Sequence, residues 1–287
     1  MKQVLVTGGY GQLATAIKDQ IADMEGHSFT FVDYDKLDIT KEAEVAAFFG
    51  SNNIDFCVNC AAYTAVDKAE SEVEMAKSIN VDGARILAAE CKKQGAKLIH
   101  ISTDFVFGGD QTALYSEGDP AKPLGVYGQT KLDGERGISA TMEQYFIIRT
   151  SWLYSEHGNN FMKTMLRLGR EREELSVVCD QIGTPTYAGD LARLILEIVA
   201  NDTNEYGLYH YSNEGVASWY DFAKAIFELG DIACALFPIL TVDYPTPAAR
   251  PAFSVMDKSK VKAAMRLEIP YWRDSLKECL KKVAIEN

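Results

Sequence analysis

The sequence predicts an α/β protein: a doubly wound parallel sheet followed by a smaller C-terminal α/β lobe. Three observations support this prediction. Apolar runs alternate with helical patterns from the first residue to about residue 150, which is the order of parallel strands joined by helical crossovers. A glycine-rich turn, Gly8-Gly9-Tyr10-Gly11, follows the first apolar run directly. Beyond residue 150 the alternation loosens, which indicates a second packing unit.

The apolar runs predict strands, in order, at 2–7, 28–33, 54–60, 96–102 and 145–149. Helical patterns lie between them, at 12–24, 41–49, 72–94 and 128–140. The second half predicts helices at 160–171, 188–200, 218–229, 257–265 and 273–284, with strands at 175–178 and 206–211. We therefore expect residues 1–150 to form a Rossmann-type dinucleotide-binding domain, to which segments within 175–213 return. Residues 151–287 are expected to form mainly a substrate-binding lobe.

Composition narrows the classes of function. The chain has 287 residues, of which 47% are hydrophobic, and a formal net charge of −12. Such an acidic chain is not expected to bind nucleic acid, which requires a basic face. No apolar run reaches the length of a membrane span, and the chain begins with a strand pattern rather than a signal peptide, so we expect a cytoplasmic protein without a membrane partner. Cys57 and Cys60 lie inside an apolar run with no second pair, so we interpret them as free cysteines.

The glycine turn predicts a nucleotide site. Glycines let the backbone approach a pyrophosphate, and the next helix directs its first N–H groups at the phosphates. The Gly8-x-x-Gly11 spacing is weak evidence by itself, because glycine turns are common after strands. The second strand ends at Asp33, where a carboxylate accepts hydrogen bonds from ribose hydroxyls and repels a 2′-phosphate. This favours NADH over NADPH, although the nearby Lys36 leaves NADPH open.

Two later segments carry the candidate chemistry. Thr103 and Asp104 follow the fourth strand, and Tyr127 and Lys131 share one face of the next helix. An adjacent ammonium stabilises a phenolate, so we expect Lys131 to lower the pKa of Tyr127. Tyrosine can then donate a proton to a carbonyl oxygen as hydride reaches the carbon, while Thr103 donates a hydrogen bond to the same oxygen. Tyr-x-x-x-Lys is common by chance, but together with the glycine turn and Asp33 it predicts a reductase.

These segments resemble the extended short-chain dehydrogenase/reductase family, and within it the branch that reduces the nucleotide sugar dTDP-4-dehydro-L-rhamnose. The resemblance spans nearly the whole chain. Its matching stretches are 8–13, 59–70, 102–107, 127–132, 149–154, 158–161, 180–186 and 245–251. The stretches Val66-Asp67-Lys68-Ala69-Glu70 and Asp180-Gln181-Ile182-Gly183-Thr184-Pro185-Thr186 are far more specific than the glycine turn.

The resemblance implies reduction of the 4-keto group to dTDP-L-rhamnose, in polysaccharide biosynthesis. The implied catalytic residues are Thr103, Tyr127 and Lys131. The implied cofactor-binding residues are Gly8, Tyr10, Gly11, Gln12, Leu13, Asp33, Asp38, Ile39, Ala61, Ala62 and Tyr63, together with Tyr127 and Lys131. The implied substrate-binding residues are Thr103, Asp104, Tyr127, Trp152 against the deoxysugar and Arg250 against the diphosphate.

The chain also departs from the family pattern. Phe105 and Gly108-Gly109 replace a more usual tyrosine and acid–glycine pair without removing a catalytic group. Some members bind magnesium at a dimer contact through a glutamate after the glycine turn. Here residues 14–17 are Ala-Thr-Ala-Ile, and only Asp190 matches another ligand position. We therefore expect no metal, and leave open whether the chain is a homodimer.

Two alternatives share the fold. Nucleotide-sugar dehydratases and epimerases carry the same Tyr-x-x-x-Lys pair, but dehydratases use a second acid after Asp104, where this chain has Phe105. A related regulatory subunit of methionine adenosyltransferase binds nucleotide without requiring turnover. The complete set of candidate site residues favours the enzyme, because function depends on the site rather than on the fold.

Overall fold

The computed structural model describes residues 1–286. The strands are β1 Lys2–Thr7, β2 His27–Val32, β3 Phe56–Asn59, β4 Lys97–Thr103, β5 Tyr145–Thr150, β6 Leu153–Tyr154, β7 Glu174–Val178, β8 Ile182–Gly183, β9 Thr186–Tyr187, β10 Gly207–His210, β11 Ala217–Ser218 and β12 Ala235–Ile239. The helices are α1 Gln12–Lys18, α2 Glu42–Ser51, α3 Val66–Ala69, α4 Val73–Lys77, α5 Ala84–Gln94, α6 Val126–Thr141, α7 Phe161–Glu171, α8 Ala188–Asn201, α9 Trp219–Leu229, α10 Ser259–Met265 and α11 Trp272–Glu286.

Six parallel strands form the main sheet, in the order β10-β5-β4-β3-β1-β2. Strand β1 pairs with the edge strand β2 on one side and with β3 on the other. The winding direction therefore reverses beside β1, and a reversal of this kind opens a crevice at the carboxyl ends of the strands. The structure confirms the predicted doubly wound sheet, with Thr7, Asn59 and Thr103 at the carboxyl ends of three neighbouring strands.

Both faces of the sheet are covered by helices. On one face α1 and α8 pack against alternate strand residues, including Val4 and Val6 of β1. On the other face Leu5 of β1 packs with residues of α2 and α5, such as Phe49 and Leu87. Because the inner strands β1, β3, β4 and β5 are mostly buried on both sides, their sequences form continuous apolar runs rather than alternating patterns.

The second half of the chain contributes to two regions. Strand β10 pairs with β5 and completes the main sheet, whereas β7 pairs in parallel with β12 outside it. Helices α7, α9 and α11 enclose a separate apolar core that includes Phe222, Trp272 and Leu276. We call this second region the C-terminal lobe. None of the described helices is long and apolar enough to cross a membrane.

The predicted helix at 72–94 exists but is interrupted. A π-helical turn, Ser78–Gly83, separates α4 from α5. Within it the Asn80 side chain donates a hydrogen bond to Thr130 Oγ1 on α6 at 3.1 Å. A Cβ atom at Gly83 would lie 2.7 Å from the Ile39 side chain. The π-helical turn thus lets Ile39 pack closely against Gly83 and bonds to α6 through Asn80. Such π-bulges are frequent near functional sites.

Candidate active site

A cavity of about 850 Å³ opens between the carboxyl edge of the main sheet and the C-terminal lobe. This volume lies in the range of small-molecule and cofactor sites. With one exception, the predicted site residues line it: Gly8, Tyr10, Gly11, Gln12, Leu13, Asp33, Asp38, Ile39, Ala61, Ala62, Thr103, Asp104, Tyr127, Lys131, Trp152 and Arg250. Residues from both halves of the sequence therefore meet at one place.

Tyr63 is the exception. Its hydroxyl donates a hydrogen bond to Glu72 Oε2 at 2.5 Å, and its backbone exchanges hydrogen bonds of 2.9 and 3.1 Å with the Asn80 amide. Tyr63 is not among the residues that line the cavity, so its contact with the cofactor stays a prediction. It secures the π-helical turn.

The glycine turn is held tightly against the neighbouring strands. Gly8 has a φ of +66°, and a Cβ atom there would lie 2.7 Å from the backbone nitrogen of Ala61, so this position requires glycine. The Tyr10 N–H donates to Asp33 Oδ2 at 2.8 Å. The first turn of α1 lines the cavity, and the first N–H groups of a helix lack partners within the helix. These features fit the pyrophosphate of a dinucleotide.

The end of the cavity beside β2 is acidic. Asp33 Oδ1 accepts a hydrogen bond from the Tyr34 N–H at 2.8 Å, and Asp38 Oδ1 accepts two from Thr40, at 3.0 and 2.7 Å. Among the described residues that line this end, Asp33 and Asp38 carry the charge, and Lys36 is not part of the lining. This end of the cavity therefore presents two carboxylates beside the carboxyl end of β2.

Tyr127 lies in the first turn of α6, with its ring 5.6 Å from that of Phe105 between centroids. Desolvation raises the pKa of Tyr127 to about 12, although a hydrogen bond with Thr103 opposes this shift. The prediction that Lys131 lowers the pKa of Tyr127 is therefore wrong, because loss of solvent around the phenol outweighs any attraction to the ammonium. Tyr127 keeps its proton throughout the neutral range, as a proton donor requires.

Lys131 is buried, with 2% of its surface exposed. Its Nζ donates to the Ile101 carbonyl oxygen at 2.6 Å and lies 3.3 Å from His100 Nε2. Burial lowers the pKa of Lys131 to about 8, while the carboxylate of Glu135 acts in the opposite direction. The ammonium is therefore present at neutral pH and is lost in the mildly alkaline range.

A chain of buried polar side chains, Thr7, Asn59 and His100, leads to Lys131. Asn59 Oδ1 accepts hydrogen bonds from Thr7 Oγ1 at 2.7 Å and from the Ala61 N–H at 3.2 Å. The Asn59 Nδ2 lies 3.0 Å from His100 Nδ1, and the other ring nitrogen of His100 faces Lys131. Burial lowers the pKa of His100 well below its usual range, so the ring is neutral. The sequence analysis assigned no role to Asn59, which begins the matching stretch 59–70, or to His100, which lies outside every matching stretch.

A buried ion pair anchors the same helix to the sheet. Arg149 Nε and Nη2 donate to Glu135 Oε1 and Oε2 at 2.9 and 2.6 Å. Ser102 Oγ donates to the same carboxylate at 2.5 Å. Glu135 lies one helical turn after Lys131, while Arg149 is on β5 and Ser102 is on β4. The pair therefore fixes the helix that carries Tyr127 and Lys131 against two strands.

Aromatic side chains form the wall of the cavity on the side of the C-terminal lobe. Trp152 stacks on Trp219 with centroids 3.7 Å apart and an interplanar angle of 8°, and Phe161 packs 4.6 Å from Trp219. Trp152 has a φ of +47°, a left-handed conformation that costs about 1–3 kcal/mol for a residue with a side chain. Such strain is typical of functional sites. Sequence analysis missed Phe161 and Trp219, whose only signal was an aromatic residue near a predicted helix start.

Arg250 lines the cavity from the proline-rich loop 245–251. Its Nη1 and Nη2 donate to Asp67 Oδ1 and Oδ2 at 3.0 and 2.8 Å. Nη1 also donates to Thr246 Oγ1 at 2.6 Å and to the Ala248 carbonyl oxygen at 2.9 Å. The hydrogen bond to Arg250 lowers the pKa of Asp67. The sequence predicted the arginine at this site but not its carboxylate partner.

Asp104 is an ionisable group buried beside the candidate proton donor. Only 2% of its surface is exposed, and its Oδ1 accepts a hydrogen bond from Thr103 Oγ1 at 3.2 Å. Desolvation raises the pKa of Asp104 from 3.8 to about 6, although its hydrogen bonds act against this shift. The folded protein therefore binds a proton at Asp104 more tightly than the unfolded chain does.

This pKa predicts a pH-dependent stability. Proton binding at Asp104 contributes its full stabilisation below the pKa that Asp104 has in the unfolded chain. This contribution is lost as the pH rises through the folded-state pKa of about 6. At 1.36 kcal/mol per unit, the loss amounts to about 3 kcal/mol. Asp104→Asn is expected to be more stable than the wild type at pH 8, by up to this amount, with a smaller difference at pH 5. Urea unfolding at both pH values measures it.

Asp110→Asn provides the matched control. Asp110 is exposed, and a hydrogen bond from Lys122 lowers its pKa, so its removal should not stabilise the protein at pH 8. A stability gain from Asp104→Asn that is the same at pH 5 and pH 8 would contradict the assignment.

The reversal in the parallel sheet, the glycine turn and the buried Tyr127–Lys131 pair define an oxidoreductase of the extended short-chain dehydrogenase/reductase class. Comparison with known proteins makes this more specific. The sequence profile of the RmlD substrate binding domain matches residues 1–285. The chain belongs to the dTDP-4-dehydrorhamnose reductase family.

The similarity extends over whole chains. A dTDP-4-dehydrorhamnose reductase from Aggregatibacter actinomycetemcomitans is 40% identical, over 96% of this chain and 98% of that protein. The crystal structure of dTDP-4-dehydrorhamnose reductase from Bacillus anthracis strain Ames in complex with NADP is also 40% identical, with a TM-score of 0.94 over 100% of both chains. A crystal structure of a Clostridium acetobutylicum dTDP-4-dehydrorhamnose reductase gives the same identity and TM-score, over 98% of this chain and 99% of that one.

Proposed function

We propose that this protein reduces the 4-keto group of dTDP-4-dehydro-L-rhamnose with a nicotinamide cofactor and yields dTDP-L-rhamnose. The observation that carries the proposal is the convergence of Thr103, Tyr127 and Lys131 in one cavity, opposite an aromatic wall. The names of the full-length relatives support the choice of nucleotide sugar.

The residues of the chain account for the proton and the developing charge. When bound, the reduced nicotinamide supplies hydride to the keto carbon. Tyr127 holds its proton at neutral pH and donates it to the keto oxygen as negative charge develops there. The Thr103 hydroxyl, which donates to Asp104 Oδ1 in the free protein, turns to the same oxygen and stabilises its charge. The Lys131 ammonium balances the resulting phenolate.

The other side chains bind and orient the substrate. The Trp152 face, held flat on Trp219, offers apolar area to the C–H groups of the deoxysugar. Arg250 provides planar donors for phosphate oxygens. Together they place the keto group beside Tyr127, and positioning of this kind removes much of the entropic barrier to reaction.

Oxidation of NADH and NADPH with freshly generated dTDP-4-dehydro-L-rhamnose, followed by product analysis, tests the proposal. Rapid oxidation with dTDP-L-rhamnose as product is the expected result. Cofactor binding without oxidation would contradict it and favour another nucleotide sugar or the regulatory-subunit alternative. Tightly retained NAD⁺ in the purified protein would favour a dehydratase or epimerase.

The acidic end of the cavity supports a preference for NADH. Asp33→Asn removes a negative charge near the adenosine ribose, so its affinity for NADPH is expected to rise by about tenfold, with a smaller effect on NADH. Fluorescence titration with each cofactor measures the ratio. Asp35→Asn is the matched control, because Asp35 accepts a hydrogen bond from the Tyr10 hydroxyl without lining the cavity. Equal changes in both variants would contradict a specific role of Asp33.

The proposal includes no metal and a cytoplasmic location. Asp190, the residue that matched a magnesium ligand of the family, accepts hydrogen bonds from Asn213 Nδ2 at 2.7 Å and Ser275 Oγ at 2.5 Å. Because Asp190 is used as a structural hydrogen-bond acceptor, we expect EDTA to leave the turnover rate unchanged. The six free cysteines are in keeping with a reducing compartment. A homodimer stays a prediction.

A further inference from the structure

The stretch Val66-Asp67-Lys68-Ala69-Glu70 is one of the two specific sequence motifs that the proposed mechanism does not use. In the structure it forms the short helix α3 and the residue after it. Asp67 bonds to the loop that carries Arg250, and Glu70 bonds to the start of α6, which carries Tyr127. The two acids of one short segment thus contact the two sides of the cavity.

Asp67 determines which edge of Arg250 is open. Its carboxylate binds the end of the guanidinium, through Nη1 and Nη2, and also accepts the Ala248 N–H at 3.1 Å. The remaining Nη1 donor is directed to Thr246 and Ala248. Arginine has five N–H donors in a planar fork, so Nε and the second N–H of Nη2 remain. In the described part of the chain no acceptor contacts them, and this edge matches two phosphate oxygens.

Glu70 acts on the opposite side of the cavity. Helix α6 begins after Gly125, which has no side chain to cap the helix. Glu70 Oε1 accepts the Val126 N–H at 2.8 Å, and a Cβ atom at Gly125 would lie only 2.5 Å from that oxygen. A carboxylate at a helix N-terminus satisfies a free N–H group and favours the helix dipole. The contact fixes the first turn of α6, where Tyr127 lies.

We propose that Asp67 and Glu70 are positioning residues that set the distance between the diphosphate contact and the proton donor. Asp67 holds Arg250 with its Nε–Nη2 edge open for the diphosphate of a nucleotide sugar. Glu70 holds Tyr127 at the point where the keto group of the same substrate arrives. The proposal rests on the proposed function in its choice of ligand. It predicts a loss of dTDP affinity when Asp67 is replaced and a loss of kcat when Glu70 is replaced.

The Asp67 arm is tested by isothermal titration with dTDP, in a cycle of Asp67→Asn, Arg250→Gln and the double variant. Asp67→Asn is expected to weaken dTDP binding by about tenfold, with little change in kcat. In the Arg250→Gln background the same change is expected to have almost no effect, because Asp67 acts through Arg250. Glu74→Gln, which removes an exposed acid from α4, is the control and should bind dTDP like the wild type.

The Glu70 arm is tested by steady-state kinetics. Glu70→Ala is expected to lower kcat by about tenfold without a change in dTDP affinity. Glu70→Gln keeps an oxygen for the Val126 N–H and should retain most of the activity. If Glu70→Ala does not fold, Glu70→Asp serves instead, because it keeps the charge but withdraws the oxygen by one methylene group. Equal losses in the Gln and Ala or Asp variants would overturn the role of Glu70.

The outcomes separate this proposal from the proposed function. Wild-type protein that binds dTDP and shows the predicted cycle, but does not reduce the sugar, would contradict the function and leave the role of Asp67 in place. Failure of the wild type to bind dTDP would overturn that role. An equal loss of dTDP affinity from Asp67→Asn in both the wild-type and the Arg250→Gln backgrounds would overturn it as well.

Discussion

Replacement of Tyr127 by phenylalanine is expected to lower kcat by roughly 10²- to 10⁴-fold, which is the range for loss of a general acid. The ring keeps its packing against Phe105, so cofactor affinity and folding should change little. Desolvation keeps the Tyr127 hydroxyl protonated at neutral pH. Phenylalanine has no hydroxyl, so the variant has no proton to donate at this position. Single-turnover rates with the keto sugar and a titration with the cofactor measure the two effects separately.

Tyr10→Phe is the matched control for this prediction. Tyr10 lines the other end of the same cavity, and its hydroxyl donates to Asp35 Oδ2 at 2.9 Å. The same atom is deleted, so kcat should stay close to that of the wild type. Reduction by Tyr127→Phe at the wild-type rate would contradict the assignment of the proton donor, and an equal loss in both variants would point to a general effect of removing a phenol.

Replacement of Glu135 by glutamine is expected to destabilise the fold by about 3–5 kcal/mol, the usual effect of leaving a buried charge without its partner. Arg149 and Glu135 are 5% and 6% exposed, so water does not solvate the orphaned guanidinium. Urea unfolding at pH 7 measures the loss. A decrease in activity should accompany it, because α6 loses its anchor on β4 and β5 and Lys131 loses a neighbouring negative charge.

Glu171→Gln breaks a comparable pair at the surface. Arg167 and Glu171 are 59% and 54% exposed, so the loss should stay below about 1 kcal/mol. In the double variant Glu135→Leu with Arg149→Met, much of the stability should return, since no buried charge remains unpaired. A Glu135→Gln variant as stable as the wild type would contradict the view that this pair anchors α6.

The parallel sheet could be predicted because its inner strands are buried on both faces. Their apolar runs are continuous, and the helices between them are long enough to give a clear pattern. The two-residue strands β6, β8, β9 and β11 and the single turn α3 were missed, because such short elements contain no periodicity. The strand at 175–178 was predicted correctly, but its partner β12 was not, so the sequence did not indicate which sheet it joins.

The candidate site followed from motifs that report on local structure. The glycine turn, the strand-end acid and Tyr127–Lys131 each depend on residues close together in the chain, and they line one cavity. The pKa of Tyr127 was predicted in the wrong direction. Its value depends on how much solvent the fold removes, and the i, i+4 spacing from Lys131 does not contain that information.

The sequence by itself determined the fold class, the position of the glycine turn and the residue types of the candidate site. These features follow from hydrophobic periodicity and local residue spacing. Both are set by short-range sterics and hydrogen bonding, so they can be recognised without knowledge of the tertiary structure. Only the tertiary structure decided that Asp67 pairs with Arg250, that Trp152 stacks on Trp219, and that Asn59 and His100 support Lys131. These contacts join distant parts of the chain, and their energies depend on burial and geometry that arise only when the layers pack.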